Sequence, residues 1–237
     1  MTLNPLPLHA DETTWSLYYT LKLEAIENLH VLGIRNGSKA LDEITSMLEE
    51  MYRDRPYHNA DHIHLVMSLS AAVAHTLELP QSERACLFLA AMFHDAIYDS
   101  KKPDNERQSA KLACRTLNEY GVNEYYLDTI YRLIMLTAQH DPLPEDVTGC
   151  ILVACDLYIL GLSPEHYDTY VAEVRKEYDW VSDENWTVGR AAVLQHLLER
   201  ETIYQINAHL PTELFHEERA RENIKRELAQ LVEVASD

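Results

Sequence analysis

Glycine and proline are scarce, with 6 Gly and 9 Pro in 237 residues. That is too few for a turn-rich β-sandwich or a long disordered tract. Cysteine is also thin: Cys86, Cys114, Cys150 and Cys155 sit in apolar or helical segments, and no Cys-x-x-Cys pair occurs. This excludes a disulfide scaffold and a cysteine zinc site, and fits free thiols in a reducing compartment. Positive charge is short as well. Lys and Arg number 20 against 39 Asp and Glu, for a net charge of −19. The chain therefore lacks the basic field that general nucleic-acid binding needs, and any phosphate site requires a strong local cation. The segment "MTLNPLPLHADE" has neither a basic leader nor a long apolar stretch. No secretory signal and no membrane anchor are expected from it, and a cytoplasmic location without membrane partners is the expectation.

What remains is 46% hydrophobic and 25% charged, the make-up of a globular chain long enough for a sizeable core. Its hydrophobic spacing is helical rather than alternating almost throughout. The pattern predicts helices over about 12–33, 38–53, 60–78, 81–97, 104–120, 123–140, 146–160, 164–179, 184–206 and 213–235. Breaks fall at Gly33 and "NGS" 36–38, Pro80, "KKPDN" 101–105, "YGVN" 120–123, "HDPLPED" 140–146, "GLSPE" 161–165 and Pro211. Ser163-Pro164 and Pro211-Thr212 read as helix starts. No repeat, low-complexity tract or linker interrupts the series, so one all-α domain over 1–237 is the economical expectation.

Three apolar helices carry misfits. In "FLAAMFHDAIYD" 88–99, an uncharged run from Cys86 to Phe93 ends directly in His94-Asp95, with no Lys or Arg within one helical turn. A buried carboxylate costs several kcal/mol unless a positive partner offsets it. In the 60–78 segment, His62 heads the stripe Val66, Leu69, Val73 and Leu77, whereas His64, Ser68 and His75 fall on another face. Asp156 interrupts "CILVACDLYILGL", where a carboxylate needs a cation, a hydrogen-bond network or protonation. Each has a bland structural explanation when taken alone. Together they supply two imidazoles and two carboxylates. His94 and Asp95 project about 100° apart on a helix, so both can converge on an ion beside its axis. Mixed N/O ligands suit Mn, Mg, Co, Ni, Zn or Fe, and such an ion would neutralise Asp95 and Asp156.

The order His62, His94-Asp95, Asp156 resembles the HD superfamily of metal-dependent phosphohydrolases. "RPYHNADHI" 55–63, "AAMFHDAIYD" 90–99, "NERQSA" 105–110, "CDLYILG" 155–161, "RKEY" 175–178 and "GRAAVLQHLLERETIY" 189–204 are similar to an uncharacterised bacterial branch of predicted HD phosphohydrolases, over about residues 50–225. The resemblance implies an all-α HD-domain helical bundle with additional N- and C-terminal helices, a divalent metal and a small phosphorylated substrate. "YHNADH" is also similar to a motif of cyclic-nucleotide phosphodiesterases, in which the first His donates a proton and the second binds metal. Carried over, His58 is the general acid and His62 a ligand, while the swap, with His58 as ligand, stays open. Two features depart from the wider group. No Lys closely follows Asp95, where other branches read "HDIGK", and there is no recognisable base-recognition region.

The expected reaction is hydrolysis of a phosphate ester of a small metabolite, nucleotides being the leading class. A metal-bound water ionises near neutral pH, against about 15.7 in bulk, and Asp95 as ligand can orient or deprotonate it. His58 as imidazolium suits protonation of the leaving oxygen. Tyr57 and Asn59 are expected to border the pocket with the 97–107 loop; Lys101 (with Lys102), Glu106, His140 and Arg190 are substrate-side candidates. Arg190 stands beside the stripe Ala191, Leu194, Leu198. Glu27/His30 and Glu213/His216 match the Glu-x-x-His spacing of di-iron bundles. Glu27 and His30 lie off the Ala25–Leu29 stripe, and Glu213 follows Pro211 as a helix-start acid, so neither pair is taken as a site. The rival readings are a non-catalytic metal- or nucleotide-binding regulatory module, and a di-metal oxygenase on the same scaffold with His140 as the added ligand. A homo-oligomer is compatible with all three.

Overall fold

The structure, a computed structural model, describes residues 12–204 and 213–234, with side chains from Lys22 to Tyr204 and from Glu213 to Val232. Ten α-helices and one 3-10 segment make up the described residues, among which there is no strand. None of these helices is individually long and apolar enough to cross a membrane. The chain divides into two compact units, Met1–Asp54 with His58–Gln139, and Arg55–Tyr57 with His140–Asp237.

The first unit holds α1 (Glu12–Val31), α2 (Gly37–Tyr52), α3 (Ala60–Thr76), α4 (Gln81–Phe93), α5 (Asn105–Glu119) and α6 (Glu124–Leu136). Its axis is α4, which packs on α1, α3, α5 and α6. Every residue from Ala85 to Phe93 is buried, so the uncharged run of the sequence is a helix covered on all sides. Each fully buried Leu or Phe there stabilises the fold by roughly 1.5–3 kcal/mol before entropy is counted. Asparagine side chains start three of the helices. Asn36 caps α2, Asn123 caps α6, and Asn59 Oδ1 accepts the amides of Asp61 and His62 at the head of α3.

One boundary matters for chemistry. The pattern predicts a helix to residue 97, but α4 ends at Phe93. His94 Nδ1–H donates to the Ala91 carbonyl (2.8 Å), the group that a continued helix would offer to the Asp95 amide. The Ala96 amide turns back to Phe93 O (3.0 Å). His94 and Asp95 therefore stand on the terminating turn, not side by side on a helix.

The second unit holds α7 (Val147–Asp156), a 3-10 segment (Leu157–Gly161), α8 (Pro164–Glu177), α9 (Asp183–Glu199) and α10 (Glu217–Val234). Pro164 opens α8, as the Ser-Pro signal predicts. The 3-10 segment packs on α7, α8 and α10, and α10 also packs on α9. The last predicted helix begins later than expected. Glu213 and Leu214 form a turn and α10 starts at Glu217, while Pro211-Thr212 lies outside the described residues.

Candidate metal centre

In the first unit, the head of α3 and the turn after α4 bring His62, His94 and Asp95 together. They are only 7%, 1% and 8% exposed. His62 Nε2 and His94 Nε2 face each other at 3.3 Å, and Asp95 Oδ2 lies 3.5 Å from the first and 3.2 Å from the second. One ligand atom from each of the three lies within 4.8 Å of the others. The Ala91 carbonyl only accepts, so His94 carries a proton on Nδ1 and points its Nε2 inward. Two imidazole nitrogens and a carboxylate oxygen crowd one point. A cation there would satisfy them all, with His94 oriented from behind by a backbone carbonyl as metal-binding histidines are. Burial alone would raise the Asp95 carboxyl. Instead it sits well below the usual carboxylate range, because the His94 and His58 imidazoles and hydrogen bonds from His62 and His94 outweigh that penalty. These residues fit a divalent ion.

His58 precedes α3 and is therefore outside the helix. Its ring centroid is 5.9 Å from that of His62, close to perpendicular, and it lies 3.9 Å from the ring of Tyr98 with the planes 23° apart. Tyr98 falls in the 97–107 loop expected beside the pocket, but no local signal singles it out. Nor does one single out Asn105 and Ser109 within "NERQSA". Both are buried at the start of α5 and hold the 97–102 loop. Among the substrate-side candidates, Lys101 and Lys102 are exposed on that loop, where the Lys101 amide and the Lys102 ammonium both engage Asp99. Glu106 is a half-buried acid in the first turn of α5. Asn59 is the α3 cap described above.

The second unit places its candidates differently. Tyr57 donates its amide to Glu177 Oε1 (2.9 Å) and sets its ring edge-on to Tyr170. Asp156 ends α7, with its Oδ2 2.9 Å from His140 Nε2. His140 is in the left-handed region (φ 51°), which His enters more readily than most non-glycine residues, and Arg200 Nη1 donates to its carbonyl (2.7 Å). Arg190 is buried, and its guanidinium is bidentate to Glu227, with Nε–Oε1 at 2.8 Å and Nη2–Oε2 at 3.1 Å. It also donates to the Tyr170 hydroxyl. The Glu-x-x-His pairs face outward: Glu27, His30, Glu213 and His216 are all exposed.

No family model matches the chain, and no curated protein matches it. Among solved structures it is similar to the phosphodiesterase domain of the RhoPDE fusion protein from the choanoflagellate Salpingoeca rosetta. The two are 12% identical, with a TM-score of 0.62 over 97% of this chain and 93% of that one. At that identity the likeness is one of fold: the chain has the all-helical architecture of a phosphodiesterase domain.

Proposed function

We propose that the protein is a metal-dependent phosphohydrolase that cleaves a phosphate ester of a small metabolite, with nucleotides the leading class. The observation that carries this reading is the buried His62–His94–Asp95 trio, which brings two imidazole nitrogens and a carboxylate oxygen together at one point. Asp156 is our fourth ligand, supported by the ordered resemblance to HD phosphohydrolases and by its place at the end of an apolar helix. The helical phosphodiesterase fold supports the same class. A divalent ion bound by these residues supplies a water acidified toward neutral pH and a pull on the phosphoryl oxygen. Asp95 orients the attacking water, and His58, at the mouth of α3, gives its proton to the leaving oxygen. Tyr57, Asn59, Lys101, Glu106 and His140 are assigned to the substrate side. Arg190 we assign to the packing of its own unit, because a carboxylate already fills its fork. The four cysteines are free thiols, which supports a cytoplasmic home.

The test is phosphate release from a panel of nucleotides and sugar phosphates. Metal-stripped protein is supplied with Mn, Mg, Co, Ni, Zn or Fe, beside Asp156→Ala and Asp95→Asn. Turnover that requires metal and falls about 100-fold or more in both variants is expected, since even an outer partner of a metal ligand is commonly worth 10–100-fold. Stoichiometric metal without turnover would instead support the regulatory module. Tightly held iron with colour would point to the oxygenase, with His140 beside Asp156 as its added ligand. Wild type that binds no metal would remove the centre altogether.

A further inference from the structure

Tyr98 sits in the loop that follows His94-Asp95, and its two neighbours are fixed from one side. The Ile97 amide donates to Ser109 Oγ (2.9 Å), and the same hydroxyl donates back to the Ile97 carbonyl (3.2 Å). The Asp99 amide donates to Asn105 Oδ1 (3.0 Å), while Asn105 Nδ2 donates to the Asp99 and Lys102 carbonyls (3.0 and 3.2 Å). Ser109 is fully buried and Asn105 is 8% exposed, so each of these part-buried bonds has one partner withdrawn from water. Both sides of Tyr98 are thus anchored to α5, and its ring lies face to face on His58.

His58 precedes α3, so no helical turn limits its side chain. A stacked ring leaves an imidazole free to slide in its own plane but not to tilt out of it. An acid held in one plane delivers its proton within that plane, the kind of alignment on which positioning effects in catalysis depend.

We propose that Tyr98, clamped by Asn105 and Ser109, is the positioning residue of His58. This rests on the phosphohydrolase reading, in which His58 is the general acid. In that step the attacking water oxygen bonds to phosphorus and its proton passes to solvent, while the bond from phosphorus to the ester oxygen breaks and that oxygen takes the His58 proton. The alcohol departs neutral, and the imidazole regains a proton from solvent. The aromatic face does the work, not the phenol hydroxyl, so phenylalanine substitutes for tyrosine and leucine does not.

Tyr98→Leu and Tyr98→Phe are assayed on p-nitrophenyl phosphate, whose leaving group departs without a proton, and on the best alkyl ester from the panel above. The expected result for Tyr98→Leu is a kcat about 10–100-fold lower on the alkyl ester with KM unchanged, and within about threefold of wild type on the aryl ester. General acids commonly contribute 10²–10⁴-fold, and a misplaced one loses part of that. Tyr98→Phe is expected to match wild type on both. Equal losses on the two esters, or Phe as damaging as Leu, would overturn the proposal. A second readout needs no turnover. In metal-free protein the ring current of residue 98 should shift the His58 carbon-bound protons upfield in wild type and Tyr98→Phe, and that shift should vanish in Tyr98→Leu. Its absence from wild type overturns the placement alone, whereas wild type inert on every ester overturns the acid role together with the hydrolase reading.

Discussion

Cys86 is 2% exposed within α4, and its thiol is pushed up to about 12 by burial and then by the Glu83 carboxylate, against a downward pull from Arg132. The ordinary value is about 8.5. The folded thiol thus stays neutral in a range where the unfolded chain has already released its proton. Its contribution to stability is intact below about pH 8.5 and is lost as pH rises toward 12, by about 1.4 kcal/mol per pH unit. Urea unfolding of wild type and Cys86→Ala between about pH 9 and 11 should show the steeper alkaline fall in wild type. Parallel slopes would show that burial does not hold the thiol neutral. The same residue scale governs the candidate centre. That His62, His94 and Asp95 are misfits is legible in their apolar settings. That His94 holds a proton on Nδ1 is not, because it depends on how the ring is turned toward the Ala91 carbonyl three residues earlier.

Among the elements, α8, α9 and α10 are joined by one buried polar cluster. Arg190 of α9 pairs with Glu227 of α10, and the Tyr167 hydroxyl of α8 donates to Glu227 Oε2 (2.5 Å). Removing one charge leaves the other buried and uncompensated. Arg190→Ala should therefore lower unfolding stability by about 3–5 kcal/mol. The pair Arg190→Met with Glu227→Gln, which removes both charges and keeps an acceptor for Tyr167, should cost clearly less. Thermal or urea unfolding of the singles and the double measures the difference, and a double at least as damaging as Arg190→Ala would rule this account out. The helical periodicity places Arg190 beside an apolar stripe, which suits a phosphate ligand and a buried ion pair equally. Glu227, 37 residues away, separates the two readings. Helix ends show a similar division. Pro164 and the asparagine caps are local signals and mark their helices well, whereas α4 stops at Phe93, where the His94 ring bonds the Ala91 carbonyl, and nothing in the apolar run announces it.

For the whole molecule, a net charge of −19 on 237 residues means self-repulsion in the compact state. Screening shortens its reach to about 10 Å at 0.1 M salt. The thermal midpoint of metal-free protein should rise by about 2–5 °C between roughly 20 and 300 mM NaCl. A midpoint that stays flat or falls would mean that local ion pairs, such as Lys22–Asp42 and Arg226–Asp168, outweigh the general repulsion.

Composition and periodicity alone determined that the chain is all-α, that the run 86–93 is buried, and that His62, His94, Asp95 and Asp156 are polar residues in apolar surroundings. These are properties of neighbours in sequence, repeated every three or four residues, and periodicity records them. Tertiary structure decided which polar groups meet: His94 on His62 across 32 residues, the face of Tyr98 on His58, and Glu227 in the fork of Arg190. Such partners come together only when separate helices pack, so no local spacing encodes them.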